Sequence, residues 1–152
     1  MQFKNIKKGF DYLFLIIISP ILIILIAFFS LLIKIFNPKE SVFFIQDRVG
    51  YKGKIFKMIK FRTMYSSSKN NLFTSEDDAR IDNLGVFLRK FRIDELPQFI
   101  NILVGQMSLI GPRPEQVHFV KVLTGKYGER FNIRHEVLPG ITGLAQIEHG
   151  YV

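Results

Sequence analysis

Asp94-Glu95-Leu96-Pro97-Gln98 is the stretch whose residue types and spacing best suit chemistry. Pro97 has no backbone N–H, so it fits the first turn of a helix and little further in. This predicts a helix from about Asp94 to Val104, ended by Gly105, with Asp94 at or near its N-cap. There a carboxylate faces unpaired backbone donors and the positive end of the helix dipole, and both effects keep it ionised. The same terminus attracts phosphate oxygens. An ionised carboxylate beside a phosphate site can serve as a nucleophile or a magnesium ligand. Taken alone, Asp followed by Glu is also an ordinary helix start.

Arg89 and Arg113 change that weighting. Arg89 lies five residues before Asp94, near the end of the preceding predicted helix. Arg113 stands between Pro112 and Pro114, which restrict its backbone and reduce the entropy lost on fixing it. Guanidinium groups bind phosphate oxygens bidentately and so suit a diphosphate substrate. Lys60 and Arg62, two residues apart on a predicted strand, share one face. The ordinary alternative is a surface ion pair, and at Arg62 the residues favour neither reading. His118 reads as a helix surface residue, His149 as part of a terminal loop, and His135 beside Arg134 as within reach of a phosphate. No histidine pair has metal-ligand spacing, and no Walker or dinucleotide glycine motif is present. The phenylalanines fall mostly in the apolar run and on core faces, leaving no stacking platform for nucleic acid.

Several elements must position these groups. Ser41–Gln46 and Lys54–Met64 read as a strand pair around a turn with Gly50 and Gly53. Arg48 to Lys69 holds seven basic residues and no acidic one, a block that faces lipid headgroups or phosphates, or is simply a solvated face. Ser66–Asn71 reads as a polar loop, followed by the acidic cluster Glu76-Asp77-Asp78. Leu84, Phe87, Leu88 and Phe91 share one face of a helix predicted over 77–91. A third helix is predicted over 115–123 with Gly125 beyond its end, and 134–152 as loop with short extended pieces.

Ahead of all this lies an uncharged run of 22 residues, Tyr12 to Ile33. As a straight helix it reaches roughly 33 Å, enough to cross a bilayer. It is too long for the apolar core of a signal peptide. Pro20 near its middle removes a backbone hydrogen bond, and the Ser19 hydroxyl can satisfy the carbonyl so freed. Basic residues flank both ends, with Lys4, Lys7 and Lys8 before it and Lys34 and Lys39 after it. The residues alone therefore leave open a kinked single span and a hairpin that turns back at Ser19-Pro20. Asp11 can pair along the helix with Lys7 or Lys8 at headgroup level, or form a solvated surface pair.

The whole chain has 152 residues, 48% of them hydrophobic, and a formal net charge of +8. That apolar content excludes disorder, and the lack of cysteine excludes a disulfide framework. The division is a membrane-inserted helix over 1–36 and one small domain over 37–152. The fold class is α+β, with a short β-hairpin and several helices in the domain.

The block RIDELPQFINILVGQMSLIGPRPE (Arg92–Glu115) resembles the signature of the bacterial sugar transferases, the monotopic polyprenyl-phosphate phosphoglycosyl transferases. KKGFD, Ser19-Pro20, QDRVG, IFKMIKFRTM and PGITGLAQ follow the same family's order. The resemblance implies a re-entrant helix broken at Ser19-Pro20, with the domain on the cytoplasmic face of the bacterial inner membrane. It implies transfer of a sugar-1-phosphate from a UDP-sugar to polyprenyl (undecaprenyl) phosphate, with release of UMP, initiating synthesis of a surface glycan. Asp94 would form a covalent phosphosugar intermediate, and Glu95 would hold Mg2+ or activate the acceptor. Arg89, Arg113, Lys60 and Arg62 would bind substrate phosphates, and anionic lipids would meet Lys7 and Lys8. Leu138 stands where the family has Arg before Pro-Gly-Ile-Thr-Gly, and the chain ends at Val152 where members generally continue. The rival expectations are an inactive, truncated relative that keeps the membrane attachment, and a non-enzymatic basic module on anionic membranes.

Overall fold

The computed structural model describes residues 2–65 and 80–148, with side chains from Ile6 onward. Ser66–Asn71, the acidic cluster at 76–78 and His149 lie outside the described residues.

The apolar run sits within a 35-residue helix, α1 (Gln2–Phe36), with Pro20 inside it. Its apolar side chains, Ile16, Ile17, Ile21, Ile23, Ile24 and Leu31 among them, are exposed, and almost none of the run is buried. Helix α1 is long and apolar enough to cross a membrane, and it leaves that apolar surface exposed. The backbone stays helical at Ser19 and Pro20, where the sequence suggested a break. The physical reason is local. Pro20 cannot donate to the Ile16 carbonyl, and the Ser19 hydroxyl donates to it instead at 3.0 Å.

Strands β1 (Phe43–Val49) and β2 (Ile55–Phe61) pair as a two-stranded sheet, as the β-branched and aromatic pattern predicts. Their connection is a 3-10 turn, Tyr51–Gly53, in which Lys52 and Gly53 take φ of 55° and 72°. Then follow helices α2 (Asn83–Lys90) and α3 (Gln98–Leu103), strand β3 (Ser108–Ile110) and helices α4 (Val117–Tyr127) and α5 (Glu129–Asn132). A 3-10 turn (Ile133–Glu136), strand β4 (Gly140–Thr142) and helix α6 (Leu144–Glu148) complete the described chain. Helix α2 begins at Asn83, inside the predicted 77–91, because Asp82 caps it by accepting from the Gly85 N–H at 2.6 Å. Helix α4 runs through Gly125, expected beyond its end, and stops at Gly128, whose φ of 64° ends the helix. In 134–152, expected as loop with short extended pieces, β4 is such a piece and pairs in parallel with β3, Ser108 opposite Gly140 and Ile110 opposite Thr142.

The chain forms two compact units. One combines Met1–Ser19, Ile45–Ile59 and Gln98–Val152. Its buried apolar side chains include Leu15, Val49, Phe56, Met58, Ile102 and Met107. Asn101 ties α3 to β2: it accepts from the Ile59 N–H at 3.1 Å and donates to the Lys57 carbonyl at 2.8 Å. Asp11, expected at headgroup level beside Lys7 or Lys8, is instead buried. Burial is possible because strand β3 supplies donors, the Ser108 hydroxyl at 2.6 Å and the Leu109 N–H at 3.3 Å. The Lys7 ammonium donates to the Ile110 carbonyl, so it too holds β3. Lys8 lines a small recess with Asp11, Tyr12, Met107 and Leu138.

The other unit combines Pro20–Phe44 and Lys60–Pro97. Its core is Ile33, Phe61 and Leu88, with Ile26, Phe29, Val42, Leu84, Ile93 and Leu96 packed against them. The Asn37 side-chain amide donates to Asp82 at 2.8 Å, tying the chain after α1 to the cap of α2.

Candidate active site

The second unit carries the carboxylate pair. Helix α2 ends at Lys90, and Arg92 adopts left-handed backbone angles (φ 58°, ψ 20°), rare for a residue with a Cβ. This costs about 1–2 kcal/mol and reverses the chain into a 3-10 turn, Ile93–Glu95. Asp94 and Glu95 sit inside that turn, both buried, at 7% and 4% exposure. The predicted helix over 94–104 is therefore corrected. Its helical part begins at Gln98, and Asp94 is not its N-cap.

The expected direction of the Asp94 pKa is corrected with it. Without the cap, burial dominates and raises its pKa above the ordinary 3.8. Lys60 pulls the other way, the adjacent Glu95 adds to the rise, and Arg89 and Arg92 lower it by smaller amounts. Glu95 is paired directly, its Oε1 lying 3.0 Å from the Lys60 ammonium. Asp94 Oδ1 is buried and accepts no hydrogen bond among the described residues.

Arg89 reaches this unit's polar centre because α2 approaches the segment after β2 closely. At Gly85 a Cβ would lie 2.3 Å from the Thr63 carbonyl, so only glycine allows the approach. One turn on, Arg89 Nε donates to Thr63 Oγ1 at 2.8 Å. Arg62 follows β2 and is held by Ser41, whose Oγ accepts at 2.9 Å, and by Glu40 at 3.6 Å. Its guanidinium lies over the Phe44 ring. Asp94, Glu95, Lys60, Arg89 and Arg62 thus belong to one unit, whereas Arg113 belongs to the other, where its carbonyl accepts from Arg134 at 2.6 Å. Arg134 also pairs with Glu115 at 3.4 Å. Next to it, burial first and Arg134 second lower the pKa of His135.

Thr63, Arg92, Gln98 and Gln146 carry no local signal of their placement; the buried side-chain amides of Gln98 and Gln146 have atoms without partners among the described residues. The left-handed backbone at Arg92 has no signature in a non-glycine residue type. Gln98 was visible in the DELPQ block, but nothing local predicted its burial.

No cluster of three or more acidic or histidine ligands occurs among the described residues, so no all-protein metal cage is present there. Magnesium commonly takes one or two carboxylates and completes its shell with water and substrate phosphate. An unpartnered buried oxygen on Asp94 beside the carboxylate of Glu95 fits that mode.

A helix long and apolar enough to cross a membrane, and a buried Asp-Glu pair with cations near it, suit a membrane-associated protein that handles anionic groups. The chain matches the bacterial sugar transferase family over residues 2–151 and belongs to it. It is 44% identical over 148 residues to the UDP-N-acetylgalactosamine-undecaprenyl-phosphate N-acetylgalactosaminephosphotransferase of Aeromonas hydrophila, covering 96% of this chain and 34% of that protein. It is 40% identical over 141 residues to the UDP-glucose:undecaprenyl-phosphate glucose-1-phosphate transferase of Escherichia coli (strain K12), covering 89% and 28%. With the uncharacterized sugar transferase EpsL of Bacillus subtilis (strain 168), identity is 43% over 147 residues, covering 93% and 68%. The chain thus spans about a third of the length of the first two relatives.

Proposed function

We propose that this chain transfers a sugar-1-phosphate from a UDP-sugar to undecaprenyl phosphate, as the names of its relatives describe for those proteins. The observation that carries the reading is the buried Asp94-Glu95 pair, with Lys60 on Glu95 and an oxygen of Asp94 left without a partner. A carboxylate kept from solvent and from competing donors is a stronger nucleophile than a solvated one. In the first step an Asp94 oxygen attacks the sugar-linked phosphorus. The bond from that phosphorus to the bridging oxygen breaks, and UMP leaves with the electron pair. In the second step an oxygen of undecaprenyl phosphate attacks the same phosphorus and frees the Asp94 carboxylate. Lys60 and Arg89 neutralise the phosphate charge that both steps gather, and the family resemblance adds Arg113 as a substrate-phosphate ligand. Magnesium held by Glu95 would add Lewis-acid charge neutralisation at the diphosphate.

A re-entrant α1 suits a lipid substrate whose phosphate stays at the bilayer surface. Asp11, ahead of the apolar run, is bonded to Ser108, and Ile33 at its end packs with Phe61. The sequence between Phe61 and Ser108 contains no uncharged run long enough to cross a bilayer. In this reading both flanks of the run lie on the cytoplasmic face, with a bend at Ser19-Pro20, where proline tolerates one. The flanking lysines then meet anionic headgroups.

The test is UMP release by the membrane-embedded chain supplied with magnesium, undecaprenyl phosphate and either UDP-N-acetylgalactosamine or UDP-glucose. Release that disappears in Asp94→Asn is the expected result. Unchanged release in that variant removes Asp94 from the nucleophile role, and no release from any UDP-sugar favours an inactive relative. Cysteines placed at positions 2 and 40 should react with an impermeant reagent from the same side, and labelling from opposite sides would exclude re-entry.

A further inference from the structure

Four consecutive carbonyls of the Pro112-Arg113-Pro114-Glu115 segment accept hydrogen bonds from elements distant in sequence. Pro112 O takes the Gly140 N–H at 3.0 Å, and Glu115 O takes the Val49 N–H at 2.9 Å. The two between them are held by guanidinium groups. Arg134 Nη2 donates to Arg113 O at 2.6 Å, and Arg48 Nη1 donates to Pro114 O at 3.0 Å.

Each guanidinium is itself fixed from another side. Arg48 donates from Nε at 3.1 Å and from Nη2 at 2.6 Å to Gln46 Oε1. Arg134 lies over the Phe131 ring, 4.9 Å from its centroid, and pairs with Glu115 at 3.4 Å. Charged donors make stronger and shorter hydrogen bonds than neutral ones. The prolines on either side of Arg113 fix their own φ and restrict the residues before them, Gly111 and Arg113. Few backbone freedoms are left to the segment.

We infer that Arg48 and Arg134 are positioning residues that clamp the backbone of Arg113, an assignment that rests on the reading of Arg113 as a substrate-phosphate ligand. Two of the chain's many cations thereby direct donors at loop carbonyls and act on substrate through Arg113. A preset guanidinium loses less entropy on binding a diphosphate, so the clamp acts on donor binding more than on the chemical step.

The experiment uses the full chain in membranes with undecaprenyl phosphate and the same two UDP-sugars. Arg134→Met keeps length and apolar contact but removes the donor. It should raise the UDP-sugar KM about tenfold, the scale of one charged hydrogen bond, with kcat within about threefold. Arg134→Lys, which keeps a charged donor, should recover part of the loss. In an Arg113→Met background the Arg134→Met change should cost nothing further. Additive losses, or a fall in kcat at unchanged KM, would overturn the clamp. An unchanged KM in Arg113→Met alone would instead overturn the phosphate-binding reading of Arg113, and the clamp's role with it. Amide hydrogen exchange gives a readout independent of turnover. Exchange at Gly140 should quicken in Arg134→Met and at Val49 in Arg48→Met, and unaltered exchange at both would overturn the clamp.

Discussion

The Ser108 hydroxyl donates a 2.6 Å hydrogen bond to the buried Asp11 carboxylate, joining strand β3 to the N-terminal half of α1. The N-terminal half of α1 is thereby built into the same unit that carries the parallel β3–β4 pair. Asp11→Ala would strand both the Ser108 hydroxyl and the Leu109 N–H, at a cost of about 2–3 kcal/mol. Asp11→Asn keeps an acceptor and should cost less. An Asp11→Ala, Ser108→Ala double variant should be no less stable than Asp11→Ala alone, as thermal unfolding in detergent micelles would show.

Burial of Asp94 gives a pH dependence with a definite sign. The folded carboxyl keeps its proton to higher pH than the unfolded one, so its linked stability is complete below pH 3.8 and is lost as pH rises through the raised folded value. Asp94→Asn should therefore be more stable than the wild type at neutral pH, with the difference vanishing below 3.8. Melting curves across pH test this. The kcat/KM for UMP release should fall on acidification through the raised pKa, at a higher pH than an ordinary aspartate would produce.

Lys60 lowers the pKa of Asp94 and pairs with Glu95. Lys60→Met leaves two buried carboxylates without that ammonium. The expected results are a stability loss on the order of 3 kcal/mol and an acid limb of the rate profile moved to higher pH. Lys60→Arg should retain most of both properties. An acid limb in the wild-type position for Lys60→Met would show that the ammonium does not govern Asp94.

The Arg89–Thr63 bond offers a milder perturbation. Thr63→Val removes the acceptor 2.8 Å from Arg89 Nε while conserving shape. It should reduce kcat/KM about tenfold with the melting temperature changed by only a few degrees. Gly85→Ala should reduce both, since its Cβ would meet the Thr63 carbonyl at 2.3 Å.

Two glycines make a paired test of packing. A Cβ on Gly140 would lie 2.1 Å from the Gly111 nitrogen and 2.6 Å from the Thr142 oxygen, backbone atoms that cannot step aside. Gly140→Ala should destabilise by about 3 kcal/mol or more. A Cβ on Gly125 meets nothing within 4 Å, and the residue lies inside α4. Gly125→Ala should stabilise by about 0.5–1 kcal/mol, and the two melts should move in opposite directions.

Much of this arrangement is legible in the sequence. The 22-residue apolar run, the strand pair around Gly50–Gly53 and the amphipathic face of Leu84 and Leu88 are periodic or compositional signals, which local sequence carries well. The Asp94-Glu95 block and its basic neighbours were legible as residue types. Helix ends were less so. Gly125 and Gly128 lie three residues apart and look alike in sequence, yet only Gly128 takes the positive φ that ends α4. The three-residue strands β3 and β4 are too short for a periodic signal and pair across some thirty intervening residues.

By itself the sequence determined that this is a membrane-attached, strongly basic α+β protein with a carboxylate pair among arginines and lysines. Those are properties of composition, run length and motif, which need no partner distant in the chain. Tertiary structure alone decided that Asp94 sits in a buried turn and not at a helix cap, which reverses the direction in which its pKa moves. It also turned Asp11 from a headgroup residue into a buried acceptor for Ser108. The reason is common to both. The protonation and bonding of a carboxylate depend on desolvation and on which donors surround it, and those neighbours come from strands, turns and helices that meet only when the chain has folded.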